Sequence, residues 1–500
     1  MKAFLKEASG NVYIWAAAVL VLRGVLMGFL PLTDTTEARY GLIAKEIVQS
    51  GDWVIPHVWF DGQYVPFLGK PPLFFWGAAG CMKLFGINEF SARLPSLLAF
   101  ALTLVIMAVI LRRYLSSRAA ATAVYLGITC VVLLAACGLV IVDMLLTFAV
   151  TGAVLGFYAF CQEQDKQRRK AWSVWTAGML GIGFMTKGPV VLVMVGLPVL
   201  IWSLLFRRWK DLRTQQWYLG ITLFGLMVAP WFIAAELRSP GFLRYFFINE
   251  NLLRFVVHEY GDRYGDGHIY PRGTAVLMML LAAAPWSIVG PIQFFKNRKI
   301  LSFALLRKDP LLMYFLLVVV VNTLFLAMAR QLLMTYLFPL VPAYLVFLAM
   351  LRERVLQLSF FDERKISSAG VALVAGVAVV GMLAVPYSMG CSTKSILTKA
   401  QAYKKAGEKI YFVRRVPFSA YYYAPADVLP HPDESVDVSL KTVLERKDPV
   451  LVVSHEEYFR PFKALPRADR ISQLTQSGNY VLAQIETTPE ITDRQQHAGL

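Results

Sequence analysis

The chain has 500 residues, 57% of them hydrophobic and 17% charged, with a formal net charge of +17 and a mean hydropathy of +0.53. That balance excludes a water-soluble domain of this length. The basic residues lie in short clusters between apolar runs, which excludes nucleic acid as their partner. What remains is a polytopic membrane protein.

Apolar runs of roughly 18 or more residues recur up to about Met389, each long enough to cross a hydrocarbon core of ~30 Å. About eleven spans are predicted, near residues 11–31, 94–111, 119–140, 144–161, 172–186, 189–206, 216–235, 272–294, 311–329, 334–351 and 368–389. Basic residues crowd alternate connections: Lys2 and Lys6, Arg112–Arg118, Lys166–Lys170, Arg207–Arg213, Lys296–Asp309 and Arg352–Lys365. The positive-inside rule makes these cytoplasmic and the intervening loops external. The N-terminus, a short basic start running into a span without a small-residue cleavage site, reads as a retained first helix. The five cysteines (Cys81, Cys130, Cys137, Cys161 and Cys391) have no disulfide or zinc spacing and read as small buried apolar residues.

Two external loops are long, 33–93 and 236–271, and loops of that length usually carry function or structure of their own. The first opens with TDTTEARYG, Thr33–Gly41. Its EARYGLIAKEIVQSG segment reads as a surface helix that starts at Glu37, gathers Ile43, Ile47 and Val48 on one side and stops at Gly51. The prolines of YVPFLGKPPLFFW forbid a regular helix there, and its aromatics suit the membrane interface. The apolar stretch Leu73–Phe85 that follows is too short to count as a span.

From Cys391 the pattern turns soluble, with strand-like runs KIYFVRRV, DPVLVVSH and NYVLAQIE. The expected organisation is a transmembrane domain over 1–390 and a small α/β domain over 391–500. An odd number of spans from a cytoplasmic start puts that domain outside.

Ionisable groups gather at the external ends of different spans: Asp34, Glu37, Arg39 and Tyr40 after the first, Asp143 between the third and fourth, Lys187 between the fifth and sixth, and Arg330 after the ninth. Such groups are costly in a bilayer and commonly line a polar cavity. Each also has a plainer reading: Lys187 as a snorkelling lysine, Asp143 as a helix cap, and Arg23, inside the first span, as the partner of a buried carboxylate or carbonyl. The six histidines (His57, His258, His268, His431, His455 and His497) lack tight ligand spacing. No metal or other cofactor is therefore assigned, and ligand spacing does not support a divalent ion.

Taken in order, TEARYGLIAKEIVQSGDWVIP, GKPPLFFW, VDMLLTF, GFMTKGPV, APWF with NENLLRF, and AAAPWS resemble the landmarks of bacterial glycosyltransferases that use lipid-phosphate sugars. These are the relatives of aminoarabinose lipid A transferase and of protein O-mannosyltransferases, with the GT-C fold. The resemblance runs from about Thr33 to Pro342. It implies a polyprenyl-phosphate-linked sugar donor held in the membrane, a lipid or glycan acceptor on the periplasmic side of the bacterial inner membrane, and a single inverting displacement. By position, Arg39, Tyr40 and Lys70 resemble the residues that contact the lipid phosphate, and Arg254 resembles the basic residue of the second long loop. Two departures stand out. The family's acidic pair before x-Arg-Tyr reads Thr36-Glu37 here, with Asp34 two residues earlier, so the catalytic carboxylate is open between Asp34 and Glu37. Gly69 stands where those enzymes often have a Glu before the lysine, so the resemblance does not extend to a metal site that uses that carboxylate.

Breaking a sugar–phosphate bond needs the leaving anion stabilised, and Lys70, Arg39, Lys187 or Arg254 can supply charge-assisted hydrogen bonds in a low-dielectric setting. A hydroxyl acceptor needs a carboxylate base, which Asp34, Glu37 or Asp143 can supply. Two rival functions carry different expectations. A membrane transporter or flippase for a lipid-linked substrate would place polar residues at mid-membrane and often repeat its halves. A non-catalytic envelope assembly protein would tolerate loss of Asp34, Glu37 and Lys70. The charges cluster at one end of the spans and no repeat is evident, which favours the transferase.

Overall fold

A computed structural model describes residues 2–257, 270–296, 308–329, 331–354, 376, 390–433, 435–444, 450–463 and 471–485. The expected span at 368–389 falls almost wholly outside these residues, and Arg330, His258, His268 and His497 lie outside them. By packing, the chain divides into two units: 1–29, 47–56 and 67–380 form the first, and 30–46, 57–66 and 381–500 the second. The boundary expected from composition lay at 390/391; the second unit also takes in two pieces of the first long loop.

The chain is a mainly helical, multi-pass membrane protein. In order come α1 (Lys2–Met27), α2 (Thr36–Ser50), α3 (Leu73–Phe85), α4 (Glu89–Tyr114), α5 (Ser117–Ile128), α6 (Val131–Ala136), α7 (Val142–Gln162), α8 (Lys166–Lys187), α9 (Val190–Leu205), α10 (Trp209–Arg213) and α11 (Trp217–Arg238). Among the described residues five helices are long and apolar enough to cross a membrane: α4, α7, α11, Pro310–Ala327 and Met334–Glu353. Thr274–Ala282 and Trp286–Ile292 make a sixth if counted as one span.

Three expected elements differ in form. The span over 119–140 is broken between α5 and α6, where the Thr129 hydroxyl turns back onto the Tyr125 carbonyl at 2.6 Å and Cys130 is extended. The span over 272–294 bends by 96° beside Pro285, whose ring removes a helical donor. Helix α2 is a buried helix rather than a surface one, because Ala38, Leu42, Ile43, Ala44 and Ile47 cover most of its circumference and all are buried.

Helix α7 forms the centre of the first unit and is buried along nearly its whole length. Small residues let α8 approach it: a Cβ on Gly156 would lie 2.7 Å from Trp175 Cδ1, the kind of close approach that stabilises helix pairs in lipid. Arg23 takes the plain role open to it, donating to the carbonyls of Leu134 at 3.2 Å and Ala135 at 2.8 Å at the end of α6.

The second unit contains a four-stranded sheet in the order β3-β4-β6-β5 (β3 Lys409–Phe412, β4 Val450–His455, β5 Ile471–Ser477, β6 Tyr480–Ile485). β3 and β4 are parallel and the other pairs antiparallel. Tyr411, Val452, Phe459 and Val481 fill its core. The unit also holds a hairpin, β1 (His57–Phe60) with β2 (Gln63–Pro66), whose Trp59 stacks on Tyr421 at 5.6 Å.

Candidate functional site

Lys70 stands before two prolines, which keep it out of the helix that starts at Leu73. Its Nζ donates to the Gly69 carbonyl at 2.7 Å and to the carboxylate of Glu250. Glu250 belongs to a nine-residue π-helix, Tyr245–Leu253, in the stretch that the sequence reads as loop. That segment is helical up to Val256 because Phe246, fully buried, packs on Phe232 at 5.5 Å and on Phe242 at 5.6 Å. Single π-turns often mark functional positions. One turn on, Arg254 donates from Nη1 to Glu250 at 2.8 Å and from Nε to the Gln331 amide oxygen at 2.9 Å. One carboxylate is thus shared by two cations, all three largely buried.

A second ion pair comes from the α7–α8 hairpin. Asp143 sits in the first turn of α7 and Lys187 is the last residue of α8, so each charge complements the dipole of its own helix end. The antiparallel packing brings Lys187 Nζ to 2.5 Å from Asp143 Oδ1, and the same ammonium lies 3.6 Å from the ring centroid of Tyr336. After Lys187 the chain turns through Gly188 at φ +78° and enters α9.

A cavity of about 460 Å³ joins these groups, with Lys70, Lys187, Glu250, Arg254, Gln331 and Tyr336 among its polar lining. The remaining wall is mostly apolar, built by Val190, Val193, Met194, Phe325 and Leu326 with others. Three cations line it with the carboxylate of Glu250, and Asp143 pairs with Lys187 behind them, which leaves one positive charge in excess. The chamber therefore suits an amphiphile with an anionic head and a hydrocarbon chain. Among the described residues no three His, Cys, Asp or Glu side chains gather as a metal site.

The second unit contains the other four candidates. Asp34 accepts hydrogen bonds from the Ser419 backbone N–H at 3.0 Å and from the Ser419 hydroxyl. Burial pushes its carboxyl up to about 6, against the lowering effect of those bonds. Glu37, in the first turn of α2, accepts from both the backbone N–H and the hydroxyl of Thr33 at 3.0 Å. Arg39 lies 5.4 Å from the ring of its neighbour Tyr40 and 5.7 Å from that of Phe418, and Tyr40 is buried. The structure thus gathers Lys70, Arg254 and Lys187 around one chamber in the first unit, with Asp143 paired to Lys187, and groups Asp34, Glu37, Arg39 and Tyr40 in the second.

Residues 32–246 match the family of dolichyl-phosphate-mannose-protein mannosyltransferases, PMT. Two curated relatives carry the name undecaprenyl phosphate-alpha-4-amino-4-deoxy-L-arabinose arabinosyl transferase. That of Aeromonas salmonicida is 29% identical over 313 residues, 62% of this chain and 54% of the relative. That of Edwardsiella ictaluri is 32% identical over 257 residues, 51% of this chain and 44% of the relative. The crystal structure of ArnT from Cupriavidus metallidurans bound to undecaprenyl phosphate has the same fold, with a TM-score of 0.71 at 18% identity, covering 95% of this chain and 98% of that one. The chain thus has the GT-C fold of that structure, and over part of its length it is similar in sequence to PMT and to the arabinosyl transferases. The sequence match spans about half the length of the two curated relatives.

Sequence reasoning passed over Glu250, Gln331 and Tyr336. Glu250 had a readable signal: it precedes Arg254 by four residues, the spacing at which opposite charges meet on a helix. Gln331 and Tyr336 had none, since nothing local marks an uncharged residue that meets its partners only through tertiary packing.

Proposed function

We propose that this chain is an inverting glycosyltransferase, moving a sugar from a polyprenyl-phosphate donor to an acceptor on the periplasmic face of the bacterial inner membrane. The acceptor class is lipid A or another envelope glycan or protein. The observation that carries this reading is the chamber with Lys70 and Arg254 at the head of an apolar wall, the chemistry of a lipid phosphate site. The names of the curated relatives and the ligand of the Cupriavidus metallidurans structure support the same donor class.

In this reading the prenyl chain lies along Val190, Val193, Met194, Phe325 and Leu326, and the phosphate meets Lys70 and Arg254, with Lys187 held near by its pair to Asp143. The acceptor oxygen bonds to the anomeric carbon as the bond to the phosphate oxygen breaks, and the electron pair leaves on the phosphate, where the cations stabilise it. Arg39 and Tyr40 keep the phosphate-contacting role that their motif implies. The base is drawn from Asp34, Glu37 and Asp143. Asp34, with its carboxyl at about 6, has the proton affinity of a base working near neutral pH. A phosphate acceptor would arrive ionised, and the carboxylate would then orient it. The topology that goes with this function is about eleven spans, with loops 33–93 and 236–271 and the domain 391–500 in the periplasm.

The test is acceptor-dependent release of polyprenyl phosphate by the purified, lipid-reconstituted protein. A panel of polyprenyl-phosphate sugars is offered to wild type, Lys70→Ala, Asp34→Asn, Glu37→Gln and Asp143→Asn. Turnover by wild type, lost in Lys70→Ala and in one folded carboxylate variant, is the expected result. Donor binding without turnover by any form would reject the reading and favour a carrier of lipid-linked substrates.

A further inference from the structure

Glu250 is the charged residue of the chamber lining that the proposed reaction leaves unused, and its surroundings are unusual for a carboxylate beside an anion site. Its side chain is only 7% exposed and takes hydrogen bonds from both Lys70 and Arg254. These are the cations that the proposed function assigns to the donor's phosphate. A phosphate seated between them meets a negative charge already in place. Either the two anions share the cations at a repulsive distance, or one displaces the other. A buried carboxylate stripped of its cations is costly, so the exchange sets a penalty on every lipid phosphate that enters.

We propose that Glu250 is a built-in counter-anion: it offsets half the charge of Lys70 and Arg254 while the chamber is empty, competes with the lipid phosphate for them, and thereby drives the spent carrier out. The proposal rests on the donor reading above. The chemistry of the two lipids gives the competition its use. The sugar donor is a phosphodiester with one negative charge. The released polyprenyl phosphate is a monoester with up to two, and two buried cations would hold it tightly. A resident carboxylate weakens that hold and lets the product leave. Glu250 is a positioning residue in this scheme, acting through Lys70 and Arg254 and forming no bond to the sugar.

The test is equilibrium binding of undecaprenyl phosphate, and of undecaprenol as the phosphate-free control, to the full-length protein in lipid nanodiscs. Wild type is compared with Glu250→Gln and Glu250→Asp. Glu250→Gln is expected to bind the phosphate about tenfold tighter with undecaprenol unchanged, and Glu250→Asp, which keeps the charge, to stay close to wild type. In turnover, Glu250→Gln should lower KM and kcat together, as product release slows. A residue that merely braces Lys70 and Arg254 would give the opposite sign, so weaker or unchanged phosphate binding in Glu250→Gln overturns the proposal. If Glu250→Gln does not fold, Glu250→Ala is read by the same criterion. If wild type binds undecaprenyl phosphate no better than undecaprenol, the donor reading itself fails, and the counter-anion role with it.

Discussion

Ser419 donates both its backbone N–H, at 3.0 Å, and its hydroxyl to the carboxylate of Asp34, which stands 385 residues earlier in the chain. Around this contact the Thr393 N–H donates to the Ser419 hydroxyl at 3.1 Å, and the Asp34 N–H donates to the Cys391 carbonyl at 2.9 Å. The TDTTEARYG turn is therefore fastened by backbone and side chain to the start of the C-terminal region.

The folded state holds the Asp34 proton more tightly than the unfolded chain, since burial raises the carboxyl from its usual 3.8 to about 6. Stability from this group is thus fully present below about pH 4 and is lost as pH rises through about 6, a change of about 3 kcal/mol. Melting temperatures of wild type and Asp34→Asn, measured from pH 4 to 7.5, should show wild type losing ground to the variant over that window. A difference that stays constant with pH would disprove the linkage.

Ser419→Ala removes one of the donors that stabilise the ionised Asp34 and should cost about 1 to 3 kcal/mol above pH 6. Below pH 4, where the carboxyl is protonated, the cost should shrink. Ser419→Thr keeps the hydroxyl and should melt close to wild type, which separates the hydrogen bond from the volume of the side chain.

The Asp143–Lys187 pair is mostly buried, at 8% and 11% side-chain exposure. Asp143→Asn or Lys187→Met alone leaves one charge without its partner and should destabilise by about 3 to 5 kcal/mol. The double variant should cost much less than the sum of the two. A double-mutant cycle on thermal unfolding reads the coupling, and additive losses would show that the contact does not couple the two residues energetically.

Lys70→Ala and Arg254→Ala should each weaken undecaprenyl phosphate binding by about 10- to 100-fold through loss of a charge-assisted hydrogen bond, with undecaprenol binding unaffected. Equal losses for both lipids would mean that the chamber has collapsed and that its phosphate chemistry was not being read.

Gly188→Ala introduces two faults at one position. The residue adopts φ +78°, and an added Cβ would lie 2.6 Å from Phe246 Cζ, on the π-helix that also bears Glu250. With ψ at −150° the backbone lies in a region that essentially only glycine occupies, a strain of about 1 to 3 kcal/mol by itself. The expected result is a loss of stability above that figure together with weakened lipid phosphate binding. A variant with wild-type binding would mean that Phe246 moves aside without disturbing Glu250.

The helices were legible where apolar composition alone decides them, as in α4, α7 and α11. They were misread where a few residues interrupt an apolar run: Thr129 and Cys130 between α5 and α6, and Pro285 at the 96° bend. Strands β3, β4 and β6 lay in the runs of β-branched and aromatic residues that predicted them, whereas β5, ISQLTQS, is too polar to signal itself and forms by pairing with β6. The β1–β2 hairpin did carry a signal, Asp61-Gly62, both at positive φ as a two-residue hairpin turn favours, but the reading of that loop went no further than the regular helix its prolines forbid. In the site, charged residues at span ends could be named from the sequence. Which distant residues they meet could not, because Lys70 meets Glu250 180 residues away and Asp34 meets Ser419 at still greater separation.

The second unit draws its residues from both ends of the chain, and this gives its assembly a schedule. Residues 30–46 and 57–66 emerge early in synthesis, while 381–500 come last. At ~5–20 residues per second, the 385 residues between Asp34 and Ser419 take about 20 to 80 s to make. Throughout that delay Trp59 lacks Tyr421 to stack on, and the Asp34 carboxylate lacks the Ser419 donors. A premature stop codon ahead of Ser419 would thus have its effect far upstream in the polypeptide: the Asp34 turn would be made and left permanently without the residues that fasten it.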